Sequence, residues 1–285
     1  ACVCKACLTW GLPGSCAGAS SVVKAARRWF ASCSCLLFSV SLPVSVNTQG
    51  TYLNQVYVGM FRPDQDSFPR WAGNLKQYRL GLVNGDLRLL DARTPPESAL
   101  NSSTGFVTEC ARSYWTPGVL DNYWGFSPQG ACLTVAGSDV SNYPDGNIVE
   151  KGGQAYRLRG DSVRTVKTCD PAFASCTTLT NFNTGNTAVT QALLGAANAT
   201  ERDTIINWSL GRDLQDENGN ANTAENRPSI HGDVVHSRPV AINYGTDASP
   251  QVVVFYGGND GALRAVNEKS AFVMITSSGG ARMQE

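Results

Sequence analysis

The 285-residue chain reads as an all-β protein built from hairpins. Three observations predict this class. With 42% apolar residues, 16% charged residues and 28 glycines, the chain can bury a sizeable core and is rich in turns. A unit of the form Gly-x-Leu-Arg-x-apolar-Asx occurs twice, at residues 85–91 and 261–267, following Asn84 and Asp260. Each unit is led by a β-rich run, residues 55–59 and 251–257. Asn-Gly and Asp-Gly ahead of alternating apolar positions predict type I′ hairpins at both places, because that turn needs positive φ at its two central residues.

The chain opens with six cysteines, Cys2, Cys4, Cys7, Cys16, Cys33 and Cys35, within its first 35 residues. Cys2-x-Cys4-x-x-Cys7 has the start of a metal knuckle, but no second pair or histidine completes a four-ligand set at zinc-finger spacing. Lys24, Arg27 and Arg28 precede a mostly apolar stretch over residues 29–46, the layout of a secretory signal. Serine and cysteine break that stretch, so no mature transmembrane helix is expected. Residues 1–45 are read as a leader that is no native domain, and clean periodicity starts near residue 52.

Further along, Cys110, Cys132, Cys169 and Cys176 read as two local disulfides, Cys110 with Cys132 and Cys169 with Cys176. In the chain-entropy account those loops contribute about 3.4 and 2.5 kcal/mol before strain is subtracted, and they imply an oxidising compartment. The two Gly-x-Leu-Arg units lie much further apart than one propeller blade of roughly 40–50 residues, so an insertion separates them. Residues 97–185, rich in Gly, Ser, Thr and Asn, fit it. Within it, Tyr114, Trp115, Tyr123, Trp124 and Phe126 form either a stacking surface for glycans or partner side chains, or a cap on the core. Arg159-Gly160-Asp161 is an integrin-type recognition triplet if it sits on an exposed loop. Its neighbours Leu158 and Val163 also fit a strand-turn-strand. Residues 187–211 predict the one helical zone, with Thr200 as N-cap and Asp203 as the N3 acid before Ile205, Ile206 and Trp208.

Residues 216–225 place oxygen-bearing side chains at alternate positions around a glycine: Asp216, Asn218, Asn220, Asn222 and Glu225. Set on a calcium-loop template, Gly219 takes the sharp turn and Glu225 the bidentate position, while the first ligand position falls on Leu214, which cannot coordinate. Calcium is the cofactor this pattern suggests, against the alternative of a solvated Asn/Gly turn. His231, Asp233 and His236 supply three donors for a first-row metal, but they include the only two histidines of the chain, so no dinuclear hydrolytic site can be completed. A structural role in hydrogen-bonding neighbouring strands is the expectation for these three. No Gly-x-Ser-x-Gly element and no phosphate-binding Gly-Lys-[Ser/Thr] loop is present, which argues against an enzyme. Zero formal net charge and the lack of a Lys/Arg stripe argue against nucleic acid as a partner.

Residues 227–238, Arg-Pro-Ser-Ile-His-Gly-Asp-Val-Val-His-Ser-Arg, together with the hairpin over residues 252–267, closely resemble the start of the C-terminal β-propeller of the PilY/PilC family, tip-associated adhesins and biogenesis factors of type IV pili. Residues 56–64 and 70–79 resemble the segment by which that family enters its propeller, and residues 205–213 its helix before the His-Gly-Asp motif. The resemblance covers roughly residues 46–267; residues 1–45 and the tail 268–285 do not match. It implies a partial quinoprotein-like β-propeller carrying a disulfide-bonded insertion and a short helical segment. It further implies an exported protein of a Gram-negative bacterium, in the periplasm, at the outer surface or at the pilus tip. Its partners would be pilins or minor pilins and a host surface receptor or glycan, and its calcium would modulate binding. A periplasmic quinoprotein-like oxidoreductase fragment is the alternative, since that class shares the blade pattern.

Overall fold

The computed structural model describes residues 54–67, 70–118, 145–160, 165–171, 176–227, 230–246 and 248–267, and the backbone of 271–275. All of them belong to one compact unit, Phe38–Glu285. The structure is mostly strands with few helices. Strands β1 (Gln55–Arg62), β2 (Ala72–Val83) and β3 (Asp86–Leu90) form an antiparallel three-stranded meander. Helix α1 (Gly153–Gly160) follows, then β4 (Thr165–Cys169), β5 (Leu179–Asn181), α2 (Gln191–Leu194) and α3 (Ala199–Ser209). Strands β6 (Val240–Asn243), β7 (Val252–Gly257), β8 (Ala262–Val266) and β9 (Ala271–Ile275) complete the chain order. The second sheet has six strands in the order β5-β4-β9-β8-β7-β6, antiparallel throughout except between β4 and β9.

The β2–β3 turn forms as its sequence predicts. Val83 pairs with Asp86, leaving Asn84 and Gly85 as a two-residue loop with φ of 53° and 88°, the type I′ signature. The β7–β8 turn does not follow the same rule. Gly257 pairs with Leu263, and the Gly261 N–H donates to Gly258 O at 3.1 Å. Gly261 has φ of 78° while Asp260 is not among the positive-φ residues. This is a longer loop closed by a left-handed glycine, and it frees the Asp260 carboxylate to point inward.

Most of β1 and the first half of β2 are buried on both faces, so β2 reads there as a continuous run, with Gly73 to Tyr78 all buried. One face of β1, Val56, Val58 and Met60, packs with Tyr78, Ala99, Ala111 and Val149. The opposite face sends Tyr57 and Leu75 into a second core with Trp115, Leu158, Ile230, Val234, Val254, Tyr256, Ala262 and Val266. That second core joins the two sheets.

Several local expectations are corrected. The helix of residues 199–209 is capped by Asn198, whose side chain accepts from Glu201 N at 2.9 Å, and Glu201 returns to accept from Ala197 N at 2.7 Å. Asn198 and Glu201 therefore take the roles assigned to Thr200 and Asp203, two residues upstream. The 187–211 zone also holds α2, N-capped by Thr190 and ended by Gly195 at φ of 69°. Leu158, Arg159 and Gly160 lie in α1, not in a strand. Residues 165–181, inside the expected insertion, supply two strands of the larger sheet and are integral to it.

Cys169 and Cys176 form the expected disulfide, with Cα atoms 5.0 Å apart, at the end of the β4–β5 ladder. Cys110 is disulfide-bonded as well, while Cys132, its expected partner, lies outside the described residues. So do the six N-terminal cysteines, the signal-like stretch, Asp161, Tyr123, Trp124 and Phe126. Among the described residues no helix is long and apolar enough to cross a membrane.

Candidate functional site

The polar cluster at the junction of the two sheets is built from the 231–236 run and the β7–β8 loop. Residues 230–235 cross the face of β2: Gly73 N donates to His231 O at 3.2 Å, and Ala72 bridges Gly232. A Cβ on Gly73 would sit 2.3 Å from Asp233 Cα and from Gly232 O, so only glycine admits this crossing. Gly59, beside it on the same face, leaves 3.4 Å to Val234 Cβ.

Side chains then lock the crossing to the second sheet. His231 is fully buried, its Nε2 2.9 Å from Tyr256 Oη and its Nδ1 2.6 Å from Gly232 O. Its ring stacks on Tyr256 at 5.6 Å. Asp260 accepts from Gly232 N at 2.9 Å and forms a bidentate ion pair with Arg264, whose side chain is 4% exposed. Asn259 donates from Nδ2 to Asp233 Oδ1 at 2.5 Å and from its backbone N to Asp233 O at 2.9 Å. His236 closes the outer edge, with Nδ1 at 3.0–3.2 Å from the Asn259 amide. Asp233 and His236 thus meet at the Asn259 amide while His231 turns to Tyr256, and the three do not converge on a common centre.

Burial, with the Arg264 charge beside it, lowers the His231 imidazole to about 3, so the ring is neutral. Burial works to raise the Asp260 carboxyl, yet the Arg264 guanidinium outweighs it and holds the group well below the usual carboxylate range. Burial also raises the Asp233 carboxyl, and the Asp260 charge adds to it, against backbone hydrogen bonds and the nearby His236 that work to lower it. Among the described residues no group of three or more His, Cys, Asp or Glu side chains is placed to hold a metal ion.

The 216–225 loop is closed at its base by pairing of Arg212 with Asn226 and by Asp213 N donating to Glu225 O at 2.9 Å. Within it, Asp216 accepts from Asn220 N at 2.9 Å and from Ala221 N at 3.0 Å. Glu225 Oε1 accepts from the Asn218 amide at 2.8 Å and the Asn220 amide at 2.6 Å. Asn220 and Asn222 accept from Asn222 N and Ala224 N at 2.8 and 3.2 Å. Both carboxylates accept from N–H donors of the loop itself, so a calcium ion would compete with the Asn218 and Asn220 amides for Glu225 Oε1. Glu217 ties the loop to its surroundings through ion pairs with Arg70 at 3.2 Å and Arg227 at 3.7 Å. Those two guanidiniums lie over the Trp208 ring at 5.1 and 4.0 Å.

Arg159 is 9% exposed, with its guanidinium 5.4 Å from the Tyr156 ring, and Gly160 ends α1. Trp115 is core, stacked on Tyr57 at 5.8 Å, and Tyr114 lies under the Arg79 guanidinium. For these two aromatics packing is the role the structure gives.

A second buried polar centre had no sequence signal. Lys76 Nζ, fully buried, is 3.0 Å from Asp145 Oδ2 and donates to the carbonyls of Asp145, Gly146 and Ile148 at 3.2, 3.0 and 2.8 Å. Asp145 also accepts from Ser113 N and Oγ at 2.9 and 2.8 Å. Asn74 of β2 accepts from Ala155 N at 3.0 Å and donates to Val149 O and Gly152 O at 2.9 Å, holding the start of α1. Burial lowers the Lys76 ammonium against the pull of Asp145. The partners lie some seventy residues apart in sequence, beyond the reach of spacing arguments. No protein-family model matches this chain, and no curated protein or solved structure matches it.

Proposed function

We propose that the chain is part of a PilY/PilC-like type IV pilus biogenesis and adhesion factor. It acts by binding and not by chemistry, and it is exported to the periplasm, outer surface or pilus tip. The observation that supports this reading is that the two segments carrying the resemblance are each other's partners. The His-Gly-Asp run and the Gly-Gly-Asn-Asp-Gly loop meet through His231–Tyr256, Gly232–Asp260 and Asp233–Asn259. A motif kept together by its own side chains suits a scaffold for display, and β6 to β9, within the six-stranded sheet, run as an antiparallel meander, the arrangement a propeller blade uses. The exposed loops of that platform would engage pilins or minor pilins and a host receptor or glycan. Calcium at Asp216, Asn218, Asn220, Asn222 and Glu225 would order the loop that Glu217 links to Trp208.

The test is binding of the oxidised full chain to purified minor pilins, with and without calcium, beside a quinone-dependent dye-reduction assay. Saturable pilin binding without dye reduction is the expected result. Dye reduction without pilin binding overturns the adhesin reading in favour of the oxidoreductase. Calorimetry with calcium on the wild type, Asp216→Ala and Glu225→Ala then tests the loop: heat lost in both variants supports the site, and no heat in the wild type removes calcium from the reading.

A further inference from the structure

We infer that Asn84 is a site of spontaneous deamidation, selected by the fold from four Asx-Gly dipeptides able to close to a succinimide, two of which carry an amide to lose. The chain holds four Asx-Gly dipeptides: Asn84-Gly85, Asp145-Gly146, Asn218-Gly219 and Asp260-Gly261. In each, the backbone nitrogen of the glycine can attack the Asx side-chain carbonyl carbon, since no Cβ on the following residue obstructs it. For asparagine the ring closes as the new N–C bond forms, the C–N bond of the amide breaks and ammonia leaves. Water then opens the succinimide at either carbonyl, giving aspartate or isoaspartate. Water is the only co-reactant.

The attack needs a glycine nitrogen that is not committed to a hydrogen bond and a side chain that is free to rotate. Three of the four dipeptides have neither. Gly146 N donates to Ala111 O at 2.8 Å, and Asp145 is held by Lys76 and Ser113. Gly219 N donates to Asp216 O at 3.0 Å, and the Asn218 amide is held by Glu225. Gly261 N donates to Gly258 O at 3.1 Å, and Asp260 is paired with Arg264. Asn84 and Gly85 form the exposed two-residue tip of the β2–β3 hairpin. Gly85 N makes no backbone bond there, nothing lies within 4 Å of where its Cβ would be, and the Asn84 amide has no partner.

Opening this tip disturbs little. The adjacent cross-strand pair, Leu82 with Leu87, is 72% and 67% exposed. The products matter more than the opening does. Either one adds a negative charge to a chain of zero formal net charge. Isoaspartate also inserts a methylene into the backbone of a loop whose two-residue length sets the Val83–Asp86 register.

The oxidised full chain, incubated at mildly alkaline pH and 37 °C in ¹⁸O-labelled water, is digested with trypsin and read by mass spectrometry, with isoaspartate detected by enzymatic carboxyl methylation. Arg79 and Arg88 bound the diagnostic peptide, residues 80–88. The expected result is label uptake at Asn84 about tenfold or more faster than at Asn218, the factor expected from holding one amide on a carboxylate. In urea the two rates should converge, because both are then Asn-Gly in open chain. A folded chain in which Asn84 is stable, or in which Asn218 reacts as fast, overturns the inference.

Discussion

Lys76 and His231 are both fully buried, and each solves the problem of a buried titratable group differently. Lys76 offsets the burial that lowers its pKa by surrounding its Nζ with three carbonyls and the Asp145 carboxylate. Removing one partner of such a pair leaves the other charged and dry, which costs about 3–5 kcal/mol. Lys76→Met should therefore lower unfolding stability in urea by that amount, and adding Asp145→Asn to it should recover part of the loss. His231 instead stays neutral. Its native pKa of about 3 lies below the ordinary value of 6.5, so between those limits the unfolded chain takes up a proton that the folded chain refuses. Its contribution is complete above pH 6.5 and is lost as pH falls, by at most about 1.4 kcal/mol per unit. Asp260, held below the carboxylate range, adds a loss of the same sign only at lower pH. The urea midpoint of the wild type should thus fall between pH 6.5 and 4.5, and His231→Gln, less stable at neutral pH, should show a flatter slope there. Equal slopes would count against a neutral buried His231.

Among the elements, helix α3 shows how a cap is chosen. Thr200 and Asp203 satisfy the capping pattern on paper, but Asn198 with Glu201 satisfies it two residues earlier and adds a turn segment to the helix. Asn198→Ala should destabilise the protein by about 1 kcal/mol, whereas Thr200→Ala should change it by less than about 0.5 kcal/mol. Comparison of their urea midpoints distinguishes the two caps. The hairpins divide in a similar way. Asn-Gly at 84–85 was legible because a type I′ turn depends on those two residues alone. Asp260-Gly261 departed from it because the Asp260 side chain is drawn to Arg264 and Gly232, partners four and twenty-eight residues away. Helix α1 carried no readable amphipathic signal, and its start is held by Asn74, a side chain of β2.

In the molecule taken together, two sheets meet across one core, and the chain crosses between them at Gly73 and Asp233, where any side chain on residue 73 would collide with backbone. The larger sheet is completed by a parallel pairing of β4 with β9, strands separated by about a hundred residues. The Cys169–Cys176 disulfide steadies the outer end of that sheet by joining the end of β4 to the approach of β5. Replacing both cysteines by serine should lower stability by about 2.5 kcal/mol, the loop-closure value, as a shift in the urea midpoint under non-reducing conditions. An unchanged midpoint would show that the β4–β9 ladder holds that edge by itself.

Composition, turn residues and cysteine spacing determined by themselves that the protein is strand-rich, that a hairpin turns at Asn84-Gly85 and that Cys169 bonds Cys176, because each depends on residues within a few positions of one another. The joining of His231 to Tyr256 and of Lys76 to Asp145, the glycine crossing at Gly73 and the parallel β4–β9 pairing were decided by tertiary structure alone. Those contacts exist only once distant segments share a core, where the cost of leaving a buried polar group without a partner selects which segments can meet.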